Sequence, residues 1–458
     1  MLNTNQKNTG LLPDNLGEEQ LEALANLSKF VNGKELSYLV SGYAGTGKTT
    51  IMKIFIEYLE SIRKPYCLCA PTHKAKIVLE EATKRSTITL HKLLSLTPNI
   101  EILELDLNSL QFITKGKANG IPSNGVVICD EASMINDGLF DLLNERCKEI
   151  NSKIIFLGDI AQLSPIKEDT SKVFSVKNCS TLTKIYRQAD DNIILNTLIT
   201  LRNSAITKFE NAESKEGSII CADINNFVRC AIDKYKVAIE NADILETKIL
   251  AYTNKRVFNF NTALHRYLFS EDLPYYKGEF LTGYENIDTG NSTFYNSMDY
   301  VITETPIKVD LSIPEFGTLP SWQLSLYDRV TKEVNMTNIL CPDIEDSQLD
   351  KLASTIEYYR LNAIQCRNRN VARKYWRYYY EILNSFTSPK DLYFNDRLVR
   401  KKSFDYGYAC TVHKSQGSTY NNVFVDIHNF KKCVDPKERR QLQYVALSRT
   451  KHDIIIFQ

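Results

Sequence analysis

The stretch Gly42-Tyr43-Ala44-Gly45-Thr46-Gly47-Lys48-Thr49 decides the fold of this chain. The apolar run Tyr38–Val40 before it predicts a buried strand, and the periodic segment Thr50–Ile62 after it predicts a helix. A glycine-rich turn between a strand and a helix exposes successive backbone N–H groups where the helix dipole also favours an anion. The spacing Gly-x-x-x-x-Gly-Lys-Thr is that of a phosphate-binding loop. The alternative is a glycine-rich turn that contains a lysine by chance.

The residue types of this loop predict how a nucleoside triphosphate would bind. Lys48 would pair with β- and γ-phosphate oxygens, and the Thr49 hydroxyl would be a ligand of Mg²⁺. ATP and Mg²⁺ are therefore the predicted cofactors. The predicted nucleotide contacts in the loop are Gly42, Ala44, Gly45, Thr46, Gly47, Lys48, Thr49 and Thr50.

Composition and charge restrict the class of protein. Of the 458 residues, 43% are hydrophobic and 24% are charged, as in globular proteins. The net charge of +1 excludes an overall basic surface, so any nucleic-acid site must be a local groove. The sequence shows no apolar signal core, and no stretch approaches the ~20 apolar residues of a membrane span. The 11 scattered cysteines indicate reduced, buried thiols of a cytoplasmic protein.

Two regions of alternating strands and helices predict two parallel sheets and an α/β fold. The first region contains the strands Tyr66–Ala70, Val126–Asp130 and Ile154–Leu157. The second contains the strands Ile249–Tyr252 and Val423–Asp426. Ligands of such sheets bind at the carboxyl ends of the strands.

Polar residues follow two of the strands in the first region. Asp130 would hold Mg²⁺, and Glu131 would activate the attacking water as general base. Gln162, after the turn Gly158-Asp159, would sense the γ-phosphate. Taken alone, an acidic turn and an ordinary loop are the alternatives for these two segments.

The order of these motifs resembles that of the superfamily 1 helicases. The similarity covers nearly the whole chain and is greatest to the phage Dda-type helicases, in the 5′-to-3′ branch that also contains the RecD-like enzymes. The segments that resemble motifs Ia, II, III, IV, V and VI are Ala70–Ala75, Asp130–Ser133, Gly158–Pro165, Leu182–Gln188, Thr411–Ser418 and Tyr444–Thr450, respectively.

The resemblance implies two RecA-like domains with ATP in the cleft between them. Residues 1–92 and 121–175 would form the first domain, and residues 176–269 and 405–458 the second. Residues 93–120 would be a small insertion with a pin that splits the duplex, its tip among Leu110, Phe112 and Ile113. Residues 270–404 would form an SH3-like barrel with a helical tower.

The resemblance also implies further nucleotide contacts. Arg187 and Arg449 would reach the γ-phosphate from the second domain, because the guanidinium fork is always charged and binds phosphate oxygens bidentately. A surface charge at Arg187 and a helix C-terminal cation at Arg449 are the alternatives. Gln20 would read the adenine edge, although a glutamine in an amphipathic helix is usually solvated. Gly417 would complete the nucleotide contacts.

A single-stranded DNA track would cross both domains. Hydroxyl, imidazole and ammonium groups bind phosphate oxygens without reading bases. The predicted contacts are Pro71, Thr72, His73 and His91 in the first domain, and Tyr252, Asn254, Thr411, His413 and Lys414 in the second. Candidates for stacking on bases, with core packing as the alternative, are Tyr295, Tyr300, Tyr358, Tyr359, Tyr375, Trp376 and Tyr378.

The predicted function is an ATP-dependent DNA helicase that moves 5′ to 3′ on single-stranded DNA and unwinds duplex DNA in phage replication or recombination. Its polarity rests on the resemblance alone. The predicted partners are single-stranded DNA, a duplex fork, and a single-strand binding protein or replication proteins, but no membrane; the chain would be a monomer in the cytoplasm of a bacterial host. A translocase that acts on RNA or displaces proteins, and a non-motor switch, are the alternatives. Ser418-Thr419 replaces a glutamate that many relatives have after motif V, which puts the coupling role of that acid in doubt here.

Overall fold

Three six-stranded sheets organise the computed structural model. It describes residues 16–98, 112–114, 120–165, 168–184, 192–269, 272–289, 292–329 and 331–458. The first sheet is wholly parallel, the second is parallel except for one edge strand, and the third is antiparallel. The predicted α/β fold class is confirmed.

The first sheet has the strand order β3-β2-β6-β7-β1-β8. Its central strand β6 is buried at every position, as expected for a parallel strand covered on both faces. The elements of this region are α1 (Glu18–Asn32), β1 (Ser37–Gly42), α2 (Lys48–Ser61), β2 (Tyr66–Ala70), α3 (His73–Thr83), β3 (Thr87–Thr89), α4 (Leu90–Leu93), β4 (Leu96–Pro98), β5 (Phe112–Thr114), β6 (Val126–Cys129), α5 (Asp137–Glu149), β7 (Lys153–Gly158) and β8 (Cys179–Leu182).

Strand β8 differs from the prediction. It pairs in parallel with β1 and so completes the first sheet, although the sequence pattern ends the first domain at residue 175. The pattern misses it because β8 is a four-residue edge strand in which only alternate residues are buried.

The predicted insertion 93–120 contains the antiparallel pair β4 and β5. The candidate tip residue Leu110 lies outside the described residues, as do the side chains of Phe112 and Ile113. The identity of the tip therefore stays a prediction.

The second sheet has the order β22-β11-β23-β24-β10-β9. The chain enters it, leaves for the third sheet, and returns. The elements before the departure are α6 (Ile193–Asn203), β9 (Ala212–Ser214), β10 (Gly217–Ala222), α7 (Ile224–Glu240), β11 (Thr247–Ala251) and α8 (Asn254–Leu268).

The third sheet has the order β16-β17-β15-β12-β21, with β18 paired to β17. It is called the barrel below after the predicted SH3-like barrel, and its closure into a barrel stays a prediction. Helices α9 and α10 pack together and cover part of it. The elements are β12 (Phe280–Gly283), β13 (Ile287–Asp288), β14 (Thr293–Phe294), β15 (Asp299–Ile302), β16 (Ile307–Ile313), β17 (Gly317–Asp328), β18 (Glu333–Leu340), α9 (Asp346–Gln365), α10 (Arg369–Ser385), β19 (Leu392–Phe394), β20 (Arg397–Arg400) and β21 (Phe404–Tyr406).

The returning chain completes the second sheet. Asp435 caps α13 through its carboxylate, and a proline begins the helix. The elements are β22 (Ala409–Thr411), α11 (Val412–Ser415), β23 (Tyr420–Asp426), α12 (Ile427–Phe430), α13 (Pro436–Leu447) and β24 (Thr450–Phe457).

Candidate functional site

The loop between β1 and α2 depends on three glycines. Gly45 and Gly47 have φ angles of 82° and 84°, in the left-handed region that favours glycine. A Cβ atom on Gly42 would lie 2.7 Å from the hydroxyl oxygen of Thr46. The backbone geometry of the turn therefore requires the glycine pattern on which the sequence prediction rests.

Side chains of the loop bond to its own backbone. The Lys48 ammonium donates to the carbonyl oxygens of Gly42 and Tyr43, the latter at 3.0 Å. The Thr46 hydroxyl donates to the Tyr43 carbonyl at 2.8 Å. Lys48 thus lies over the mouth of the loop, and its contact with phosphate oxygens stays a prediction.

Gln20 of α1 packs directly on the loop. Its amide nitrogen donates to the Thr46 carbonyl at 3.0 Å, and its amide oxygen accepts from the Gly17 N–H at 3.1 Å. A Cβ atom on Gly47 would lie 2.3 Å from that nitrogen, so glycine is needed for this close packing as well. Gln20 is buried, not solvated. Its predicted contact with adenine is not tested by these bonds.

Two carboxylates follow β6 at the carboxyl edge of the first sheet. Burial and the neighbouring Glu131 raise the pKa of Asp130 to about 6, against the opposing effects of the Glu131 N–H and of Lys48. The Glu131 N–H donates to the Asp130 carboxylate at 2.8 Å. A nearby cation would favour the ionised form of Asp130. Thr49 and Thr50 are exposed in the first turn of α2.

Gln162 and Asp159 follow β7. Asp159 is buried, and its carboxylate accepts from the Ala161 N–H at 3.0 Å. The amide oxygen of Gln162 accepts from the Ser133 hydroxyl at 3.4 Å. The segments after β6 and β7 are therefore joined by a side-chain hydrogen bond.

Tyr444 of α13 connects the second sheet to the first. Its hydroxyl donates to the Asp159 carboxylate at 2.8 Å and accepts from the Ala44 N–H of the phosphate loop at 3.0 Å. Burial raises the pKa of Tyr444, so the hydroxyl stays protonated as a donor. Burial also raises the pKa of Asp159, while Lys48 and the Tyr444 hydroxyl favour its charged form. One hydroxyl thus links the phosphate loop, the segment after β7 and the second sheet.

Arg202 of α6 makes a second contact between the two sheets. Its guanidinium carbon lies 3.9 Å from the ring centroid of Tyr43 in the phosphate loop, within the range of a cation–π interaction. Among the described residues, its Nε and Nη2 atoms are buried and have no hydrogen-bond partner.

The two predicted arginine fingers have different outcomes. Arg187 lies outside the described residues. Arg449 is buried after α13, where it donates to the Val445 carbonyl at 3.2 Å and to the Ser418 carbonyl at 3.3 Å. These bonds fit a cation at a helix C-terminus, and the contact with a γ-phosphate stays a prediction.

Threonine caps mark the predicted DNA track in both parallel sheets. Thr72 and Thr253 follow β2 and β11, and Thr89 and Thr411 are the last residues of β3 and β22. Each hydroxyl accepts a hydrogen bond from a backbone N–H of the next helix. A hydroxyl that accepts in this way can still donate its own hydrogen. Thr72 and Thr411 belong to the predicted set, whereas Thr89 and Thr253 do not.

The predicted histidines of the track are neutral at neutral pH. Burial and the nearby basic residues Lys76, His91 and Lys92 lower the pKa of His73 to about 4. Burial also lowers the pKa of His91 and of His413. The ring of His73 stacks on that of Tyr295, with centroids 4.1 Å apart. Neutral imidazoles offer hydrogen bonds and ring faces to a nucleic acid, not charge.

Apart from Pro71, the remaining predicted DNA contacts lie around the second sheet. Lys414 places its ammonium 3.2 Å from the ring centroid of Tyr284, and burial lowers the pKa of Lys414 to about 8. The Tyr252 ring lies 6.3 Å from that of His413. Asn254 is exposed at the start of α8. Pro71, in the first domain, is half-buried just before the Thr72 cap.

Several aromatic candidates pack within the protein. Tyr300 is 0% exposed in the barrel core, so core packing explains it. Tyr358, Tyr359, Tyr375 and Tyr378 form one ring cluster between α9 and α10, in which Tyr358 remains 54% exposed.

Gly417 lies against α3 of the first domain. Its φ is 75°, and a Cβ atom there would lie 3.0 Å from the Ala75 nitrogen. Close packing on α3 thus requires glycine here, and its predicted nucleotide contact is untested.

The part of the chain that the structure describes holds neither a metal-binding cluster of side chains nor a helix that could cross a membrane. Among the described residues, no group of three or more His, Cys, Asp and Glu side chains could hold a metal ion. None of the described helices combines the length and the apolar character that a bilayer crossing requires.

Comparisons with known proteins bear on this arrangement. An AAA domain model matches residues 15–223, and a UvrD-like helicase C-terminal domain model matches residues 406–457. The ATP-dependent DNA helicase dda of Enterobacteria phage T4 is 25% identical over 96% of this chain and 99% of its own. The ATP-dependent RecD2 DNA helicase of Deinococcus radiodurans is 32% identical over 39% of this chain and 23% of its own. The crystal structure of the Pif1 helicase from Candida albicans matches with a TM-score of 0.50 at 17% identity, over 97% of this chain and 94% of that one.

The chain is an ATP-dependent DNA helicase, similar in sequence to the Dda and RecD2 helicases and in fold to Pif1. Its two parallel sheets are the two RecA-like domains of that fold.

Sequence reasoning missed three residues in this helicase's cleft. Asp159 appears in a motif that the prediction quotes, but only Gln162 of that motif is predicted to act. Tyr444 lies in the motif VI string without an assigned role, and Arg202 lies in no motif. Their partners are far away in sequence, 285 residues in the case of Tyr444 and Asp159, so no local pattern could reveal them.

Proposed function

We propose that this helicase couples ATP hydrolysis to 5′-to-3′ movement on single-stranded DNA and separates duplex DNA ahead of it. The observation that carries the proposal is the hydrogen-bonded chain Ala44–Tyr444–Asp159, which ties the phosphate loop to the second RecA-like domain. Through this chain of hydrogen bonds, a change in the bound nucleotide alters the contact between the two domains. The proposal also needs a track for a DNA strand. The threonine caps at the strand ends of both parallel sheets support it, because their hydroxyls can bond to a phosphate backbone.

The nucleotide would bind on the phosphate loop of the first domain. Lys48 and the loop amides hold its phosphates, and Gln20 supports the loop beside the base. Thr49 and Asp130 would hold Mg²⁺, because a hydroxyl and a carboxylate provide the hard oxygen ligands that this ion prefers. The ion would supply charge neutralisation at the β- and γ-phosphate oxygens.

Hydrolysis requires an activated water and a stabilised leaving group. Glu131 accepts the proton of the attacking water, and Gln162 orients groups around the γ-phosphate. Arg187 and Arg449 approach from the second domain, and arginine fingers of this kind contribute roughly 10³ or more to the rate. Arg449 would exchange its carbonyl partners for phosphate oxygens as the cleft closes.

The DNA would cross the caps Thr72 and Thr411. Hydroxyls at these positions donate to phosphate oxygens, while neutral His73 and His413 add contacts that are independent of sequence. Lys414 is the charged contact of the track. The cleft closes when ATP binds and opens after hydrolysis, so that the two domains move along the strand in turn.

The wider setting is part of the same proposal. The partners would be single-stranded DNA, a duplex fork, and a single-strand binding protein or other replication proteins. The helicase would act as a monomer, in the cytoplasm of a bacterial host if a phage encodes it.

The ATPase rate with and without oligo-dT tests this function. Strong stimulation by the oligonucleotide is expected, and its absence would contradict a DNA motor and favour a switch. A second test measures strand displacement on forks whose tracking strand is either DNA or RNA. Unwinding that persists only when the tracking strand is RNA would favour the translocase on RNA instead.

A further inference from the structure

A buried ion cluster around Asp299 joins three parts of the molecule. Asp299 of barrel strand β15 pairs with Lys74 of α3 at 3.3 Å and with Lys248 of β11 at 3.2 Å. Thr282 of β12 donates to the same carboxylate at 2.5 Å, and Lys248 also donates to the Gly407 carbonyl at 2.6 Å. The Lys74 and Asp299 side chains are only 9% and 6% exposed. Water therefore screens this pair very little.

The charges in the cluster stabilise one another. Burial raises the pKa of Asp299, but Lys248 and Lys74 more than offset this and hold it below its usual range. Burial lowers the pKa of Lys74, and Asp299 more than offsets that effect and raises it. Separating the pair without water would leave the buried Lys74 ammonium without its counter-charge, which is strongly destabilising.

The residues that flank Lys74 are also held from outside the first domain. His73 stacks on Tyr295 of the barrel, with ring centroids 4.1 Å apart. Gly417 of the second domain approaches the backbone of Ala75 so closely that a Cβ atom would lie 3.0 Å from its nitrogen. Ile77, one turn further along α3, packs on the barrel core. The first turn of α3 is thus fixed to both the barrel and the second domain.

These contacts lie between parts that must move when the cleft opens. The Lys74–Asp299 bond connects the first domain to the barrel, and the Lys248–Asp299 bond connects the barrel to the second domain. When the cleft opens or closes, the first domain must either break the Lys74–Asp299 bond or rotate about it. Since the bond is buried and charged, turning about it costs less than breaking it.

We propose that the first turn of α3, held by Asp299, is the pivot of the ATP cleft, with Lys74 as a positioning residue that couples cleft closure to movement of DNA. This inference rests on the proposed function. With the pivot intact, closure at Tyr444 becomes a rotation of one domain against the other. Without the pivot, the two domains still close on ATP. Closure then no longer moves the DNA strand beside Thr72 by a fixed distance.

The test variant is Lys74→Met, which keeps the apolar stem and leaves Asp299 bonded to Lys248 and Thr282. The matched control is Lys76→Met on the same helix, which removes the half-buried pair with Glu80 and a positive charge near His73 but leaves the Asp299 cluster intact. Base pairs unwound per ATP hydrolysed, oligo-dT-stimulated ATPase and Tm are measured for each. In Lys74→Met the stimulated ATPase and Tm are expected to stay near wild type, while base pairs per ATP fall about tenfold.

The outcomes separate the pivot from the proposed function. Lys74→Arg keeps the charge and is expected to restore base pairs per ATP, which a purely space-filling role would not do. Unchanged base pairs per ATP in Lys74→Met overturns the pivot, as does a loss of ATPase in proportion to unwinding. Wild-type ATPase without stimulation by oligo-dT would instead overturn the motor function itself.

Discussion

The hydroxyl of Tyr444 offers a direct perturbation of communication across the cleft. Tyr444→Phe removes one oxygen and keeps the ring. The carboxylate of Asp159 then loses its donor at 2.8 Å, and the Ala44 N–H loses its acceptor at 3.0 Å. Among the residues that the structure describes, Asp159 then keeps only the Ala161 N–H, on its other oxygen.

The size of the effect follows from the two lost bonds. A hydrogen bond to a charged group contributes about 1.5–3 kcal/mol, and a buried amide without a partner costs about 1–3 kcal/mol. Water that enters the opened cleft recovers part of this, so the closed form should lose about 2–3 kcal/mol. At about 1.4 kcal/mol per factor of ten, the closing equilibrium shifts roughly 30- to 150-fold toward the open form.

The assay is steady-state ATP hydrolysis at saturating oligo-dT, and kcat/KM for ATP is expected to fall by that factor. The matched control is Tyr38→Phe, which removes a buried hydroxyl bonded to Ser180 within the first domain. It should lower Tm and leave kcat/KM nearly unchanged. A Tyr444→Phe enzyme with wild-type kcat/KM would refute the reasoning, because cleft closure would then not depend on this hydroxyl.

Three further variants and conditions probe other parts of the site. Lys48→Ala should lower ATPase roughly 10²-fold or more, as expected for losing a charged group on the transferring phosphate, with an unchanged Kd for single-stranded DNA in a fluorescence titration; retained ATPase would contradict the role of the loop. Lys414 has a pKa of about 8, so its charge is present below that pH and lost above it. Between pH 7 and 9 the slope of log Kd against log salt should fall by about 0.7, the share of one single-strand phosphate contact, and Lys414→Arg should abolish this pH dependence. Gly417→Ala places a Cβ atom against Ala75 at a φ of 75° and should lower the free energy of unfolding by about 1–3 kcal/mol in urea denaturation. Unaltered stability would contradict both the close contact with Ala75 and the left-handed strain at Gly417.

The fold was predictable where the signals are local. The loop glycines, the helix α2 after them and the buried strand β6 each depend on residues close together in sequence, and the structure places these elements within a few residues of the prediction. Strand β8 was not predictable because four residues at the edge of a sheet are too few to show a clear alternation of apolar and polar side chains. Its pairing with β1 becomes visible only in the assembled sheet.

The site was predictable only in part, for a related reason. Residue types mark Lys48, Asp130 and Glu131 because phosphate and metal chemistry restricts which side chains can act there. The contacts of Tyr444 and Lys74 join residues 285 and 225 positions apart. A buried tyrosine and a lysine in a helix are ordinary features of a sequence, and only the packing of domains gives them specific partners.

Unwinding of duplexes that carry a single-stranded tail tests the central claim most directly. The wild-type helicase is mixed with ATP, Mg²⁺ and a duplex bearing either a 5′ or a 3′ tail, and strand separation is measured under single-turnover conditions. A 5′-to-3′ motor separates the duplex with the 5′ tail and leaves the one with the 3′ tail intact. Unwinding from the 3′ tail alone, or from neither tail, would contradict the account.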